Sequence, residues 1–101
     1  MLYMVFDEKA NVKLVKVGRA KNISERVGGY ITHNPLAEMR WKSQGTASEE
    51  MYARSQLFNL GAKRVQPRSE WLIVSEELYQ ELYNKGFAML KGFAKKNPRK
   101  I

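Results

Sequence analysis

The chain has 101 residues and a formal net charge of +8, from 18 Lys and Arg against 10 Asp and Glu. This length accommodates one domain, and a small domain this basic is expected to meet a polyanion, with nucleic acid the leading partner and an anionic membrane surface the second. The absence of Cys and the presence of a single His exclude disulfides, thiolate zinc sites, a cysteine nucleophile and a multi-histidine metal site. A metal ion here would be held by oxygen ligands, as Mg²⁺ is.

The opening residues lack a basic start, a long apolar stretch and a cleavage site of small residues, so they do not read as a signal peptide. No apolar run approaches the length of a membrane span. These features predict a cytoplasmic protein with no membrane role. We expect one domain over residues 1–94 and a basic tail over 95–101, which reads as a solvated, frayed end with a sequence-blind, salt-sensitive hold on DNA.

A β-hairpin is the first predicted element, with β-branched and aromatic strands at residues 2–6 and 12–17 and Gly18 ending the second. A four-residue turn at 8–11 would place Tyr3 opposite Lys16. Tyr3 and Lys16 would then share one face at the end of the hairpin away from the turn. Ordinary cross-strand packing of a lysine against a tyrosine would also account for this pair.

Two capping-box patterns mark the starts of the next helices. Asn22 with a Glu at position 25 predicts a helix to about residue 31, and Thr46 with a Glu at position 49 predicts one to about residue 60, stopped by Gly61. A short strand is expected between them at 39–42.

The last third of the chain predicts a strand at 71–74 and a helix over about 76–94. The order β-β-α-β-α-β-α indicates an α+β fold with a small central, mainly antiparallel sheet. Tyr79, Tyr83 and Phe87 give the last helix a second apolar side, which packs either on the core or on a second subunit, so a homodimer stays open.

Three chemically active side chains recur at helical spacing in the first helix. Arg26, Tyr30 and His33 stand at i, i+4 and i+7, which predicts one stripe carrying a cation, a phenol and an imidazole. Such groups bind and protonate phosphate oxygens, although a solvated polar face has the same pattern. Glu50 lies in the first turn of the second helix, where a carboxylate also simply complements the helix dipole.

Two short motifs resemble those of the GIY-YIG nuclease superfamily. Met-Leu-Tyr at residues 1–3 stands where the family has Gly-Ile-Tyr, and Lys-Val-Gly at residues 16–18 stands where it has Tyr-Ile-Gly. Arg26 follows ten residues after Lys16, and Tyr30 follows four residues after Arg26, as in the family's first helix.

Later motifs extend the resemblance over about residues 1–74. Glu50 and Glu-Trp-Leu at residues 70–72 resemble the glutamate helix and the Glu-Trp-Phe ending of a phage- and bacterium-associated branch. That branch often carries Lys-Ile-Gly as its second motif. Each motif is short, but five in order at the expected separations make the resemblance moderately specific.

The resemblance implies a metal-dependent endonuclease that hydrolyses DNA phosphodiester bonds. Glu50 would hold one Mg²⁺ or Mn²⁺, which stabilises the leaving oxygen. Tyr3 would orient or deprotonate the attacking water, and Arg26 would bind the non-bridging oxygens. Tyr30, or else His33, would hydrogen-bond or relay a proton near the scissile phosphate.

Lys16 replaces the second family tyrosine, and its ammonium would favour the Tyr3 phenolate or contact the phosphate directly. Arg19 and Lys21 in the following loop would grip the DNA backbone, and Lys42 and Arg54 are further candidates for contact with double- or single-stranded DNA. The alternative is a catalytically degenerate module of the same fold that only binds DNA or RNA. A phage or mobile-element origin is implied by the resemblance alone.

Overall fold

The computed structural model describes residues 1–26, 28, 36–93 and 99–101. Over these ranges the chain forms an α+β domain with an antiparallel sheet, as the sequence predicts. A helical segment at residues 23–26 follows Asn22, whose side chain accepts a 3.2 Å hydrogen bond from the Glu25 amide. The other elements are β1 (Leu2–Lys9), β2 (Val12–Arg19), β3 (Glu38–Ser43), α1 (Ala47–Asn59), β4 (Lys63–Arg64), β5 (Trp71–Val74), α2 (Glu76–Lys85), a 3₁₀ turn (Gly86–Met89) and β6 (Arg99–Lys100).

The β1–β2 hairpin forms the centre of the sheet, whose strand order is β4-β5-β2-β1-β3-β6. Residues 2–7 of β1 are all buried, because both faces of the sheet are covered at this strand. Leu2, Met4 and Phe6 face the core formed with α1 and α2, whereas Tyr3 and Val5 belong to a smaller cluster on the opposite face. Of the described candidate residues, Tyr3, Lys16 and Lys42 lie on that second face.

The hairpin turn is two residues long, so the predicted register is wrong. Ala10 and Asn11 both have positive φ, at 48° and 67°, which is the geometry of the tight turns that match strand twist. The strands therefore extend further than predicted, and Tyr3 lies opposite Gly18 while Lys16 lies opposite Val5. The shift is by two residues, so Tyr3 and Lys16 still share a face and are diagonal neighbours.

The start and end of α1 are as predicted. The Thr46 hydroxyl accepts from the Glu49 amide, the Glu49 carboxylate accepts from the Thr46 amide, and Gly61 follows the helix at φ 106°. Ala53 and Leu57 bury one side of this helix against the sheet.

The last helix is shorter than predicted, because α2 ends at Lys85 rather than near residue 94. Gly86 has a positive φ of 57°, and a side chain there would collide with the Trp41 indole. The chain then continues as the 3₁₀ turn, which buries Phe87 fully. Tyr79 and Tyr83 pack edge-on against Phe6, which favours the core over a second subunit for this side of α2.

The end of the basic tail differs from the expected frayed end. Residues 99–100 form β6 on the edge of the sheet, and the Ile101 amide donates to the Arg40 carbonyl at 2.7 Å. Lys91 is also anchored, because its amide and carbonyl both bond to the Gln56 side chain, at 2.8 and 2.9 Å. No helix in the described ranges is long and apolar enough to cross a bilayer.

Candidate functional site

Tyr3 lies in the centre of the candidate site, at the end of β1 away from the turn. Its ring lies across Gly18, where an added Cβ would approach the ring Cε1 to 2.6 Å and the phenol end more closely still. Tyr3 is 3% exposed. The glycine in the second motif is therefore required by close packing, and the phenol is held in one position.

A guanidinium lies over the Tyr3 ring from the helical segment 23–26. The Arg26 Cζ is 6.0 Å from the ring centroid, within the range of a cation–π contact. Arg26 also borders a cavity of about 240 Å³ together with Arg19 and Lys21. Three exposed cations thus surround one opening, and one of them, Arg26, also contacts the Tyr3 ring.

Lys16 forms an ion pair that the sequence analysis did not predict. Its Nζ lies 3.0 Å from Oε2 of Glu70, just before β5. This contact, reinforced by the positive charges of Arg54 and Arg26, holds the pKa of the Glu70 carboxyl below its usual range. Glu70 is therefore part of the site, although only its place in a family-like motif could have indicated it.

Glu50 and Arg54 form a second ion pair on α1, which packs on the opposite face of the sheet from Tyr3. The Arg54 charge nevertheless acts on Glu70. The Arg54 Nη2 is 3.6 Å from Oε1 of Glu50 and donates to the Val17 carbonyl at 3.1 Å. Both side chains are 19% exposed. Val17 lies beyond the stretch of β2 that pairs with β5, so Arg54 satisfies a carbonyl that β5 does not reach.

Arg54 is thus placed within the fold rather than projecting outward as a simple backbone grip. Its Nε is buried and has no hydrogen-bond partner among the described residues. A buried guanidinium N–H is costly to leave unpaired, so the position of Arg54 carries an energetic cost that its ion pair with Glu50 and its bond to Val17 offset.

The pairing of β1 with β3, and of β3 with β6, places two further cations in a row with Tyr3, on the side of β1 away from β2. Lys42 of β3 lies opposite Tyr3, and Arg99 of β6 lies opposite Lys42. Residues opposite one another in a sheet share a face. Lys42 is therefore placed beside Tyr3 as a DNA-contact candidate, and Arg99 extends the basic row.

Two predicted site residues, Tyr30 and His33, lie outside the described residues. Their roles stay predictions from the sequence.

The donor set fits an ion held by one carboxylate and a substrate phosphate. In residues 1–26, 28, 36–93 and 99–101 no group of three or more His, Asp or Glu side chains is arranged to hold a metal. Mg²⁺ keeps most of its waters and commonly takes one or two carboxylates plus phosphate oxygens. Glu50 is oriented by Arg54 and partly exposed, so it is suited to be the single carboxylate ligand of such an ion.

Comparisons with protein-family models, with curated proteins and with solved structures each found no match to this chain. The functional assignment therefore depends on the residues and geometry of the site itself.

Proposed function

We propose that the protein is a metal-dependent endonuclease that hydrolyses DNA phosphodiester bonds through a single divalent ion. The proposal is carried by the placement of Tyr3, Lys16 and Arg26 on one side of the sheet, where the Arg26 guanidinium lies over the Tyr3 ring. The family-like motifs that predict this grouping are separated in sequence, and a hairpin and a helix bring them together. The net charge of +8 suits a polyanionic substrate.

Each residue has a role that follows from its position. Arg26 binds the non-bridging oxygens of the scissile phosphate, where negative charge is held in the transition state. Tyr3 orients the attacking water through its hydroxyl, and the packing of its ring over Gly18 holds that hydroxyl in place. Arg19 and Lys21 hold the DNA backbone at the mouth of the cavity.

Glu50 would hold the divalent ion, Mg²⁺ or Mn²⁺, which would supply Lewis-acid stabilisation of charge on the phosphate oxygens. Arg54 keeps the Glu50 carboxylate in place through their ion pair and anchors it to β2 through Val17.

The first test compares Glu50→Gln with Glu77→Gln, a matched control because Glu77 is an exposed carboxylate in the first turn of α2. Plasmid, single-stranded DNA and RNA are incubated with Mg²⁺ or Mn²⁺, with and without EDTA. Glu50→Gln is expected to lower cleavage by at least about 100-fold while leaving DNA binding largely intact. Full cleavage by Glu50→Gln would remove Glu50 from the mechanism.

The second test uses Tyr3→Phe and Arg26→Ala in the same assay. Each variant is expected to lower turnover, and a normal rate in both would contradict the assignment. Tyr3→Phe removes the hydroxyl but keeps the ring over Gly18, so the packing is preserved.

A DNA- or RNA-binding module without catalysis is the second candidate function. It is favoured by the burial of Tyr3, which is 3% exposed, and by the ion pair that already engages Lys16. This function predicts tight binding of nucleic acid with no metal-dependent cleavage of any substrate in the panel.

A further inference from the structure

In the ion pair between Glu70 and Lys16, the exposed Glu70 carboxylate lies against the largely buried Lys16 ammonium, as a bound anion would. The Glu70 side chain is 63% exposed, whereas the Lys16 side chain is only 15% exposed, and their charged atoms are 3.0 Å apart. The carboxylate thus lies on the solvent side of a fixed ammonium. It can leave Lys16 without any change in the core.

Lys16 is not the only cation that acts on this carboxylate. Arg54 and Arg26, on two other elements, also favour the ionised form of Glu70, and its pKa is lowered accordingly. Three elements therefore direct positive charge at one exposed carboxylate. Carboxylates and phosphates accept the same charge-assisted hydrogen bonds from ammonium and guanidinium groups.

We propose that Lys16, Arg26 and Arg54 form a phosphate subsite that the Glu70 carboxylate occupies in the free protein, and that a DNA phosphodiester takes the place of Glu70 on binding. This subsite rests on the proposed function, because it names where that function binds a substrate phosphate. Glu70 then lowers affinity for DNA by competing for the subsite, and it keeps the cations ordered while DNA is absent.

The chain contains a control carboxylate of the same charge and exposure. Glu76 lies 3.4 Å from Lys13, with side-chain exposures of 62% and 15%, nearly those of Glu70 and Lys16. Lys13 also pairs with Glu8 at 2.7 Å, so Glu76→Gln removes a surface charge without leaving its lysine unpaired. Lys13 and Lys16 point to opposite faces of β2, because they are three positions apart and successive side chains alternate between faces. Glu70→Gln and Glu76→Gln therefore remove the same charge from equally exposed positions on different faces.

The experiment measures the dissociation constant for a fluorescent DNA duplex by anisotropy, in EDTA, over salt concentrations from about 50 to 200 mM. Glu70→Gln is expected to bind about fivefold more tightly than Glu76→Gln at the lowest salt. Its salt slope is expected to differ from that of Glu76→Gln by less than about 0.9, because the same phosphate contact forms whether or not Glu70 must first be displaced. In a Lys16→Met background the effect of Glu70→Gln should largely disappear, with circular dichroism used to check that both backgrounds are folded.

Equal affinities for Glu70→Gln and Glu76→Gln, or a full effect of Glu70→Gln in the Lys16→Met background, would overturn the subsite. Because EDTA prevents metal-dependent cleavage, this result is separate from that of the cleavage assay. Selective tightening in a protein that never cleaves would leave the subsite in place and remove the nuclease function. Cleavage together with equal affinities of the two variants would support the nuclease function and remove the subsite.

Discussion

Replacing Gly18 with Ala is expected to displace the Tyr3 ring, which the site requires in one position. The added Cβ would lie 2.6 Å from the ring Cε1, about 1 Å closer than carbon atoms pack at their optimum separation. Tyr3 is 3% exposed, so the ring has little room to retreat. No positive φ marks Gly18, and the cost is therefore that of overpacking rather than of backbone strain.

Overpacking of this kind costs about 1–3 kcal/mol. For a domain of this size about 2 kcal/mol lowers Tm by about 10 °C. The matched control is Gly28→Ala, because no atom of the described part of the chain lies within 4 Å of a Cβ added there. Gly28 is helical, so Ala should be neutral or stabilising by up to about 1 kcal/mol. Urea unfolding followed by circular dichroism measures both variants.

A second substitution identifies the cause. If the Tyr3 ring is what the methyl group added by Gly18→Ala would strike, then Tyr3→Val should relieve the clash, and the combined variant should be more stable than the sum of the single effects predicts. Strict additivity, or a Gly18→Ala variant as stable as the wild type, would refute the packing argument.

Three further predictions concern the elements that support the site. Thr46→Ala should cost about 1 kcal/mol because it removes half of the α1 capping box; an unchanged urea midpoint would contradict this. Ala10→Gly should stabilise by about 0.5–1 kcal/mol, since Ala10 has φ 48°, and the opposite sign would show that the turn tolerates Ala without strain. The Tyr83 hydroxyl donates to Glu38 at 2.8 Å, which raises the pKa of Tyr83, so this bond stabilises the fold fully below about pH 10 and is lost as the pH rises through the raised value. Urea unfolding of wild type and Tyr83→Phe at several pH values should therefore converge at high pH, and a constant difference would exclude this linkage.

Local signals in the sequence predicted the parts of the fold that are fixed locally. The Thr46 capping box and Gly61 define α1 because the hydrogen bonds and positive φ at its ends involve only neighbouring residues. The break at Gly86 was missed, because that residue is required by contact with Trp41 from a distant strand. An isolated glycine in an apolar helical pattern does not reveal such a contact.

The hairpin shows why a face can be predicted while a register is not. The sequence predicts a four-residue turn, whereas the structure has a two-residue turn at Ala10 and Asn11. The two turns give strand pairings that differ by two positions, so every side chain stays on the predicted face. The sequence therefore predicts the correct face for Tyr3 and Lys16 but wrongly makes them direct cross-strand partners. Their actual neighbours, Gly18 and Glu70, depend on turn dihedrals and on the pairing of β2 with β5.

The short length of β5 connects the fold to the chemistry proposed for the site. Because β5 pairs with β2 only as far as Lys16, the Val17 carbonyl is left for Arg54, and Arg54 in turn fixes Glu50. The same strand start places Glu70 on Lys16. A longer β5 would pair with Val17 directly, release Arg54 and move Glu70 away, so the end of this strand sets the positions of both carboxylates at the site.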